Sequence, residues 1–328
     1  MGEITIGLVE YPGAMTSAVL GLVDMFHLAN GISAQYSEAR LPAFSLSRWQ
    51  ADHSGMHGGG ELARVVRRGS FLDVVIVPPS ISGTYYETPH RTLIDWLAEQ
   101  HTRGSITCSA CAGCFILAET GLLDGRRATT HWDFSSRFTR RFPKVRLDTD
   151  QVLINDGDIV TAGGLMSWMD LGLELVEQFT RPTVMIELGK FLVIDTGRRE
   201  QRYYKRFVPR LGHGHAAVVK AQHHIQQNFQ TDLTVRMLAK HCHLGERTLL
   251  RQFFSATGLT PTEYIQNVRV QKARELIETS NLPIETIASR VGYEDTGAFR
   301  KIFKRLTGLS PREFRVRFST QTASKPGT

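Results

Sequence analysis

Apolar residues near the end of the chain fall at helical spacing in two successive short segments. These positions are Ile284, Ile287, Ala288 and Val291 in one segment and Phe299, Ile302 and Phe303 in the next. Gly292, between the segments, suits the left-handed residue that ends a helix. Asp295 follows as the predicted N-cap of the second helix. The pattern therefore predicts a helix, a tight turn and a second helix.

The same pattern occurs once more, fifty residues earlier. Residues Phe253, Thr257, Gly258, Leu259, Pro261 and Glu263 recur as Phe303, Thr307, Gly308, Leu309, Pro311 and Glu313. Two copies of one helical unit are the simplest interpretation of this offset. A helix, tight turn and helix form the helix-turn-helix pattern, whose second helix enters the major groove of DNA.

The outward positions of the two second helices are the candidate DNA contacts. They are Arg247, Leu250, Arg251 and Gln252 in the first copy and Thr296, Arg300, Lys301 and Lys304 in the second. Arginine can donate two hydrogen bonds to guanine, and threonine can bond a base or touch a methyl group. The alternative is a solvated helical bundle with ordinary surface lysines, which two matched copies disfavour.

Charge is distributed unevenly along the 328 residues. Residues 215–318 contain sixteen Lys and Arg against nine Asp and Glu, whereas residues 1–214 contain twenty-two against twenty-three. The formal net charge of +7 is therefore concentrated in the last third. A segment that neutralises phosphates is expected to carry such an excess.

Residues 216–318 resemble the DNA-binding domain of AraC/XylS-type regulators, a seven-helix module with two helix-turn-helix units. The signature of the second unit in that family is met from Gly292 to Arg315, and its linking helix is met by Tyr264, Arg269, Ala273 and Leu276. Two departures are visible. Gly245 stands where a serine N-cap is usual, which costs only a few tenths of a kcal/mol, and Gly297 offers no side chain for base contacts.

The first 190 residues alternate strand and helix signals, which favours an α/β sandwich with flavodoxin-like layers. The strand signals are 4–9, 44–48, 74–77, 105–109, 152–154 and 159–161, and the helix signals are 19–26, 93–97, 114–119 and 167–179. The segment HSGMHGGG, residues 53–60, predicts a turn or loop. The expected fold is thus this sandwich, followed by an all-α domain with two helix-turn-helix units.

Cys111 lies between a strand and a helix, among small neighbours. This arrangement resembles a nucleophile elbow, a strained turn that lifts a thiol or hydroxyl above a sheet. With His131 twenty residues later, residues 4–190 resemble the glutamine-amidotransferase-like, PfpI-type domain that a subgroup of AraC-type regulators carries. Regulators of this subgroup often serve the catabolism of amino acids or quaternary amines, and they commonly dimerise through this domain.

Three parts of the catalytic machinery of that superfamily are missing. Ala18 stands where an acid is common, and Ala112 stands where hydrolytic members often place a histidine. Pro79 has no N–H to donate where an amide usually assists the oxyanion hole. We therefore predict no catalysis, and treat Cys111 and His131 as vestiges of a catalytic pair.

The expected alternative to catalysis is a small-molecule site at the carboxyl ends of the strands. Its predicted lining is Cys111, His131, Trp132 and, less directly, Trp168. Two other classes stay open: a thiol-dependent amidase or hydrolase fused to a DNA-binding module, and a redox sensor using Cys111. The spacing C-x-x-C-x-x-C at residues 108–114 lacks a fourth ligand, so neither a metal nor a cofactor is predicted.

The predicted organisation is a sensing and dimerisation domain over residues 1–194, a linker over 195–215, the DNA-binding domain over 216–318 and a disordered tail over 319–328. No segment has the layout of a signal peptide or reaches transmembrane length, which favours the cytoplasm and no membrane partner. The expected partners are double-stranded promoter DNA, a small-molecule effector and a second copy in a homodimer. RNA polymerase is left open as a partner, as is the choice between activation and repression.

Overall fold

The computed structural model describes residues 2–36, 41–52, 55–59, 71–197 and 199–319. The chain forms two compact units, Met1–Gln201 and Arg202–Thr328. The predicted linker is divided between them, because residues 195–201 belong to the first unit and 202–215 to the second. Residues 320–328, most of the predicted disordered tail, lie outside the described residues.

The first unit is built on a seven-stranded sheet. Its strands are β1 (Glu3–Glu10), β2 (Ala43–Asp52), β3 (Gly55–Gly59), β4 (Val74–Val77), β5 (Ile106–Ala110), β8 (Leu153–Asn155) and β9 (Ile159–Ala162), and β6 (Arg127–Ala128) and β7 (Arg146–Leu147) form a separate pair. The order in the large sheet is β3-β2-β1-β4-β5-β9-β8. The five central strands are parallel, and β3 and β8 are antiparallel edges. The predicted α/β class is confirmed.

Helices cover both faces of this sheet. They are α1 (Thr16–Ser33), α2 (Arg91–Thr102), α3 (Gly113–Glu119), α4 (Ser135–Arg141), α5 (Trp168–Phe179) and α6 (Pro182–Leu192). Buried side chains of α1, α5 and α6 form one apolar cluster with one face of the sheet. Those of α2, α3 and α4 form a second cluster with the other face. The central parallel strands are therefore covered on both sides, which explains why β4 is a continuous apolar run.

The prediction of a loop at residues 53–60 was wrong for residues 55–59, which form β3. This segment pairs in antiparallel register with the end of β2, from Arg48 opposite Gly59 to Asp52 opposite Gly55. Residues 53, 54 and 60 lie outside the described part of the chain. A glycine-rich strand has few of the side chains from which a strand is predicted, and the pairing with β2 decides its conformation.

The second unit contains seven helices in its described part. They are α7 (Ala216–Asn228), α8 (Val235–His241), α9 (Glu246–Thr257), α10 (Pro261–Thr279), α11 (Ile284–Arg290), α12 (Thr296–Thr307) and α13 (Pro311–Phe318). The pairs α8–α9 and α11–α12 are the two predicted helix-turn-helix units. The helices after each unit, α10 and α13, both begin with a capping box, Thr260 with Glu263 and Ser310 with Glu313. The duplication predicted from the sequence is thus present down to the hydrogen bonds of the caps.

Arg269, on the long helix α10, contacts the loop before the first helix-turn-helix unit and the turn within the second. Its guanidinium donates hydrogen bonds to the carbonyls of Phe229 (2.7 Å) and Thr231 (2.8 Å), in the loop that precedes α8. The same group lies 5.1 Å from the ring centroid of Tyr293, in the turn between α11 and α12. Within the second unit of the chain, one side chain therefore helps to fix the orientation of the two helix-turn-helix units relative to each other.

Residues 203–207 lie along the second unit as a strap. The guanidinium of Arg274, 6% exposed, donates to the carbonyls of Tyr203 (2.9 Å) and Lys205 and lies 4.9 Å from the ring centroid of Phe314. Phe207 packs edge-on against Tyr264 at 5.1 Å between centroids. This part of the predicted linker is docked on the helical unit and is not a solvated connector.

Two glycines at equivalent positions of the repeat differ in the space around them, because the chain near the strap lies against only one of them. Gly258 and Gly308 both end a helix with positive φ (72° and 81°), so alanine at either costs about 1–2 kcal/mol in backbone strain. A Cβ on Gly258 would meet nothing within 4 Å, whereas one on Gly308 would lie 2.5 Å from Arg202 Nε and 2.7 Å from the ring of Tyr203. We expect Gly308→Ala to lower the free energy of unfolding by about 1 kcal/mol more than Gly258→Ala. Urea titration with hydrogen exchange of the α12 amides measures this, and equal losses would show that the strap yields freely.

Candidate functional site

The second helix of each helix-turn-helix unit presents one exposed stripe. On α12, Phe299 and Phe303 are fully buried, and Arg300, Lys301 and Lys304 are exposed on the opposite side. Asp295 caps the helix by accepting a hydrogen bond from the Gly297 amide at 2.7 Å. Thr296 is half-buried at the N-terminal end of the helix. These placements agree with an inner face that packs and an outer face that is free to meet DNA.

The corresponding stripe on α9 consists of Arg247, Leu250, Arg251 and Phe254, all of them exposed. Gln252 is only half-exposed and lies on the flank, because the repeat aligns it with Ile302. Phe254 was not predicted, although the offset of fifty aligns it with Lys304 and could have identified it. An apolar side chain in such a stripe can touch the methyl group of thymine.

Arg300 is already partnered in the free protein. Its guanidinium lies 2.7 Å from the carboxylate of Glu285 on α11, and more than half of each side chain is exposed. An exposed ion pair of this kind contributes about 0–1 kcal/mol to stability. DNA phosphates or bases can therefore replace Glu285 as the partner of Arg300 at little cost.

Cys111 adopts the strained conformation predicted for an elbow. Its φ of 53° is left-handed, which is uncommon for any residue with a side chain. The Cys111 amide donates to the carbonyl of Ala162 at the end of β9 (2.8 Å), and its carbonyl accepts from the Thr130 hydroxyl (2.7 Å). A Cβ at Gly113 would lie 2.6 Å from the carbonyl of Val77, so only glycine lets α3 approach β4 this closely.

The Cys111 thiol is not activated. It is 3% exposed, and burial raises its pKa to about 12. His131 uses Nδ1 to accept a hydrogen bond from the Asp133 amide (3.2 Å), and burial lowers the pKa of its imidazole. None of the hydrogen bonds between described residues joins His131 to Cys111. The pair that the sequence suggests is thus present in the same region without the contact that would make a thiolate.

Three residues stand where the resemblance leads one to expect catalytic groups. Ala18 is fully buried in α1, and Ala112 is fully buried at the start of α3. Pro79 presents its carbonyl, which accepts from the Met15 amide at 2.8 Å, and has no N–H to offer an oxyanion. None of the three side chains supplies an acid, a base or a hydrogen-bond donor.

The cysteines at 108, 111 and 114 do not converge. Cys108 belongs to the apolar cluster on one face of the sheet, and Cys111 and Cys114 belong to the cluster on the other face. All three thiols are free and buried, and burial raises the pKa of each. Within the described residues, no group of three or more His, Cys, Asp or Glu side chains is arranged to hold a metal ion.

The loop 129–132 is closed by the side chain of Gln201, which is 3% exposed. Its Nε2 donates to Thr129 Oγ1 (3.1 Å), the Thr130 carbonyl (3.0 Å) and the Gln151 carbonyl (2.8 Å). Its Oε1 accepts from the Trp132 amide at 3.3 Å. No pattern in the sequence predicts this contact, because Gln201 lies in a charged run that predicts an exposed linker.

The structure does not bring the two predicted aromatic residues of the effector site together. Trp132 follows His131, and the centroids of their rings are 5.2 Å apart. Trp168 belongs to the apolar cluster on the other face of the sheet, and a Cβ on Gly21 would lie 2.4 Å from its ring. Trp168 is therefore a core residue against α1, and Cys111, His131 and Trp132 are the predicted lining residues that share one region.

The raised pKa predicts low reactivity of Cys111. At pH 8 a thiol with a pKa of about 12 is ionised about 10³-fold less than a free cysteine, so we expect alkylation by iodoacetamide to slow by about that factor. The rate should rise about tenfold per pH unit, since the thiolate fraction does so below the pKa. Mass spectrometry of the Cys111 peptide, in native and urea-unfolded protein, measures both. Rapid native alkylation at pH 7 would contradict the buried, protonated thiol.

Comparisons with known proteins agree with both units. Residues 66–178 match the family described as DJ-1/PfpI family, and residues 238–317 match the family described as Helix-turn-helix domain. The chain is 26% identical to the HTH-type transcriptional regulator CdhR of Pseudomonas aeruginosa over 72% of this chain and 70% of that protein. It is 30% identical to the HTH-type transcriptional regulator ArgR of the same organism, over 65% of this chain and 64% of that protein.

A crystal structure of an AraC family transcriptional regulator from Pseudomonas putida matches 58% of this chain and 100% of that chain, with 16% identity and a TM-score of 0.46. Among the described residues, no helix combines the length and apolar character needed to cross a membrane. The family matches and the relatives in sequence decide the assignment. The chain thus combines an N-terminal DJ-1/PfpI domain with a C-terminal AraC-type helix-turn-helix domain, and its relatives in sequence are HTH-type transcriptional regulators.

Proposed function

We propose that this regulator binds promoter DNA through the paired stripes of α9 and α12 and senses a small metabolite, without catalysis, in its first unit. The observation that carries the first part is the match between two exposed stripes on helices whose inner faces are buried. The net charge of +7 in residues 215–318 supports contact with phosphates. Binding to promoter DNA in a bacterium implies the cytoplasm, and a homodimer is the proposed assembly.

The observation that carries the second part is the state of the Cys111 thiol. A buried thiol whose pKa lies near 12 is a poor nucleophile at neutral pH, and it is equally unsuited to oxidation as a signal. One oxyanion donor is worth about 10²–10³ in rate, and positioned acid–base catalysis is worth about 10²–10⁴. With Ala18, Ala112 and Pro79 in the places of these groups, binding is the function that the site supports best.

The resemblance to a subgroup of AraC-type regulators suggests the chemical range of the effector. Regulators of that subgroup often serve the catabolism of amino acids or quaternary amines. We therefore propose an amino acid or amine as the effector, in the region of Cys111, His131 and Trp132. DNA fragments retained by the full-length protein, sequenced with and without such metabolites, would identify the operator and its dependence on the effector.

Replacement of Cys111 by serine separates sensing from catalysis. Serine keeps the size and a polar atom, so we expect effector-dependent transcription from the identified promoter to stay within about twofold of the wild type. We also expect the purified wild type to hydrolyse no amide or peptide above background. Turnover that disappears with the thiol would establish the amidase. A mutant that folds and binds DNA but ignores the effector would establish thiol chemistry in signalling.

A further inference from the structure

The second helices of the two helix-turn-helix units differ in chemistry at equivalent positions of the repeat. On α9, Leu250 and Phe254 lie one turn apart and are 39% and 58% exposed. The offset of fifty residues aligns them with Arg300 and Lys304 on α12, which are also exposed. The same column of side chains is therefore apolar in the first copy, where we call Leu250 and Phe254 the apolar column, and cationic in the second.

The exposure of the apolar column is not a consequence of how α9 packs. Leu249 and Phe253 are fully buried and already form the inner face of this helix in the core of the first copy. A single exposed apolar residue is common on a protein surface. Two of them in one column, beside the exposed Arg251, form a small apolar surface with a charged border, which is typical of an interaction site.

We propose that Leu250 and Phe254 contact thymine methyl groups, so that the two helix-turn-helix units recognise DNA half-sites of different chemistry. The inference rests on the proposed binding of promoter DNA through α9 and α12, and it adds which bases the first unit selects. In the major groove, the 5-methyl group of thymine is the apolar feature that a side chain can contact. A column that meets DNA with cations in one copy therefore meets it with apolar groups in the other.

The spacing along α9 determines how the contacted bases are arranged. Leu250 and Phe254 are four residues apart, which is about 6 Å along the axis of an α-helix. Successive base pairs are about 3.4 Å apart, so the two side chains reach thymines about two base pairs apart. Arg251 lies between them along the axis and can donate to a guanine. The expected half-site thus contains two thymine methyl groups with a guanine close to them.

The cationic column of α12 is expected to respond to DNA in a different way. Arg300 is paired with Glu285 at 2.7 Å, and both Arg300 and Lys304 have donors for phosphates or for guanine but no apolar surface for a methyl group at their charged ends. Thr296, at the start of α12, can touch a methyl group as well. The test therefore compares the effect of a methyl group with and without the Phe254 ring, and not one half-site with the other.

The test uses the full-length protein and a duplex that it selects from a library of random sequences. Each thymine of that duplex is replaced in turn by uracil, which keeps the hydrogen-bonding edge of the base and lacks only the methyl group. We expect uracil at a contacted position to weaken binding by the wild type about fourfold, the value of one buried group of the size of CH₂. In Phe254→Ala, uracil at the position that Phe254 contacts should change affinity by less than about twofold, because the partner of the methyl group is gone.

Three further variants locate the contact. Leu250→Ala should remove the effect of uracil at a second position, about two base pairs from the first, and should keep it at the Phe254 position. Phe254→Lys introduces the residue type of the second copy, so it should bind random DNA more tightly, raise the salt slope by about 1 and lose the effect of uracil. Val316→Ala, which shortens another exposed apolar residue on α13, is the matched control and should keep every effect of uracil.

Equal losses with uracil in the wild type, Phe254→Ala and Leu250→Ala at every thymine would overturn the inference. Phe254→Ala that binds the unmodified duplex as tightly as the wild type would overturn it too, since the ring would then have no contact with DNA. Both variants keep the buried inner face of α9, and hydrogen exchange of the α9 amides checks that they are folded. A protein that selects no sequence from the library would refute the proposed function, whereas a selected duplex without an effect of uracil that depends on either side chain would refute only this inference.

Discussion

Replacement of Arg251 by alanine is expected to weaken binding to the specific operator by about 5- to 150-fold, or about 1–3 kcal/mol. Arg251 is exposed at the centre of the α9 stripe, where two N–H donors can reach the O6 and N7 atoms of a guanine. A contact to a base edge is lost only on the correct sequence. The loss on random DNA should therefore be much smaller.

Lys272→Ala is the matched control, since it also removes one positive charge. Lys272 lies on α10 and is paired with Glu275 at 2.9 Å, away from both stripes. We expect it to change affinity by no more than a small, sequence-independent factor. Titration of labelled operator and random duplexes at two salt concentrations separates the two effects. Equal losses of affinity for both duplexes in Arg251→Ala would show that this residue contacts only phosphates.

The helical unit was largely predictable because its signals are local and occur twice. The capping residues, the left-handed glycines and the buried positions of each copy are fixed by neighbours within one or two turns of helix. Alignment of the two copies gives more information about the exposed stripes than the prediction used. The alignment of Phe254 with Lys304 and of Gln252 with Ile302 identifies the stripe on α9 from the sequence alone.

The first unit was predictable where its strands are continuous apolar runs, as in Val74–Val77, whose bounds the structure reproduces. It was not predictable where pairing or packing over long distances decides. The strand β3 forms against β2 despite its glycines. The helix α4 has a polar sequence, and the ring of its Phe138 is held 5.0 Å from that of Phe115.

The candidate effector site shows the same limit. A positive φ at Cys111 follows from a strand that turns directly into a helix, so the elbow could be predicted from small neighbours. The position of Gln201 could not, because its four partners lie 50 to 72 residues away in the chain. Trp168 shows the opposite error, since an aromatic residue at the start of a helix fits a binding site and a core equally well until packing is known.

The second prediction concerns the hydrogen bonds that attach the strap of residues 203–207 to the helical unit. Arg274→Met is expected to lower the free energy of unfolding of the helical unit by about 2–4 kcal/mol. Methionine retains most of the length of the side chain, but it removes the two hydrogen bonds that the guanidinium donates to the partly buried carbonyls of Tyr203 and Lys205. A hydrogen bond from a charged donor is worth about 1.5–3 kcal/mol. Relief from burying the guanidinium, whose pKa burial lowers, offsets part of the loss.

Arg290→Met, an exposed change on α11, is the control and should stay within about 0.5 kcal/mol of the wild type. Hydrogen exchange of the α10 and α13 amides measures stability in the helical unit without interference from the first unit. Trypsin cleavage after Lys205 reports whether the strap has been released. The strap and the helices should loosen together in Arg274→Met, since Arg274 joins them and also packs on Phe314. Rapid cleavage with unchanged exchange would show that the strap is attached to the helices but adds nothing to their stability.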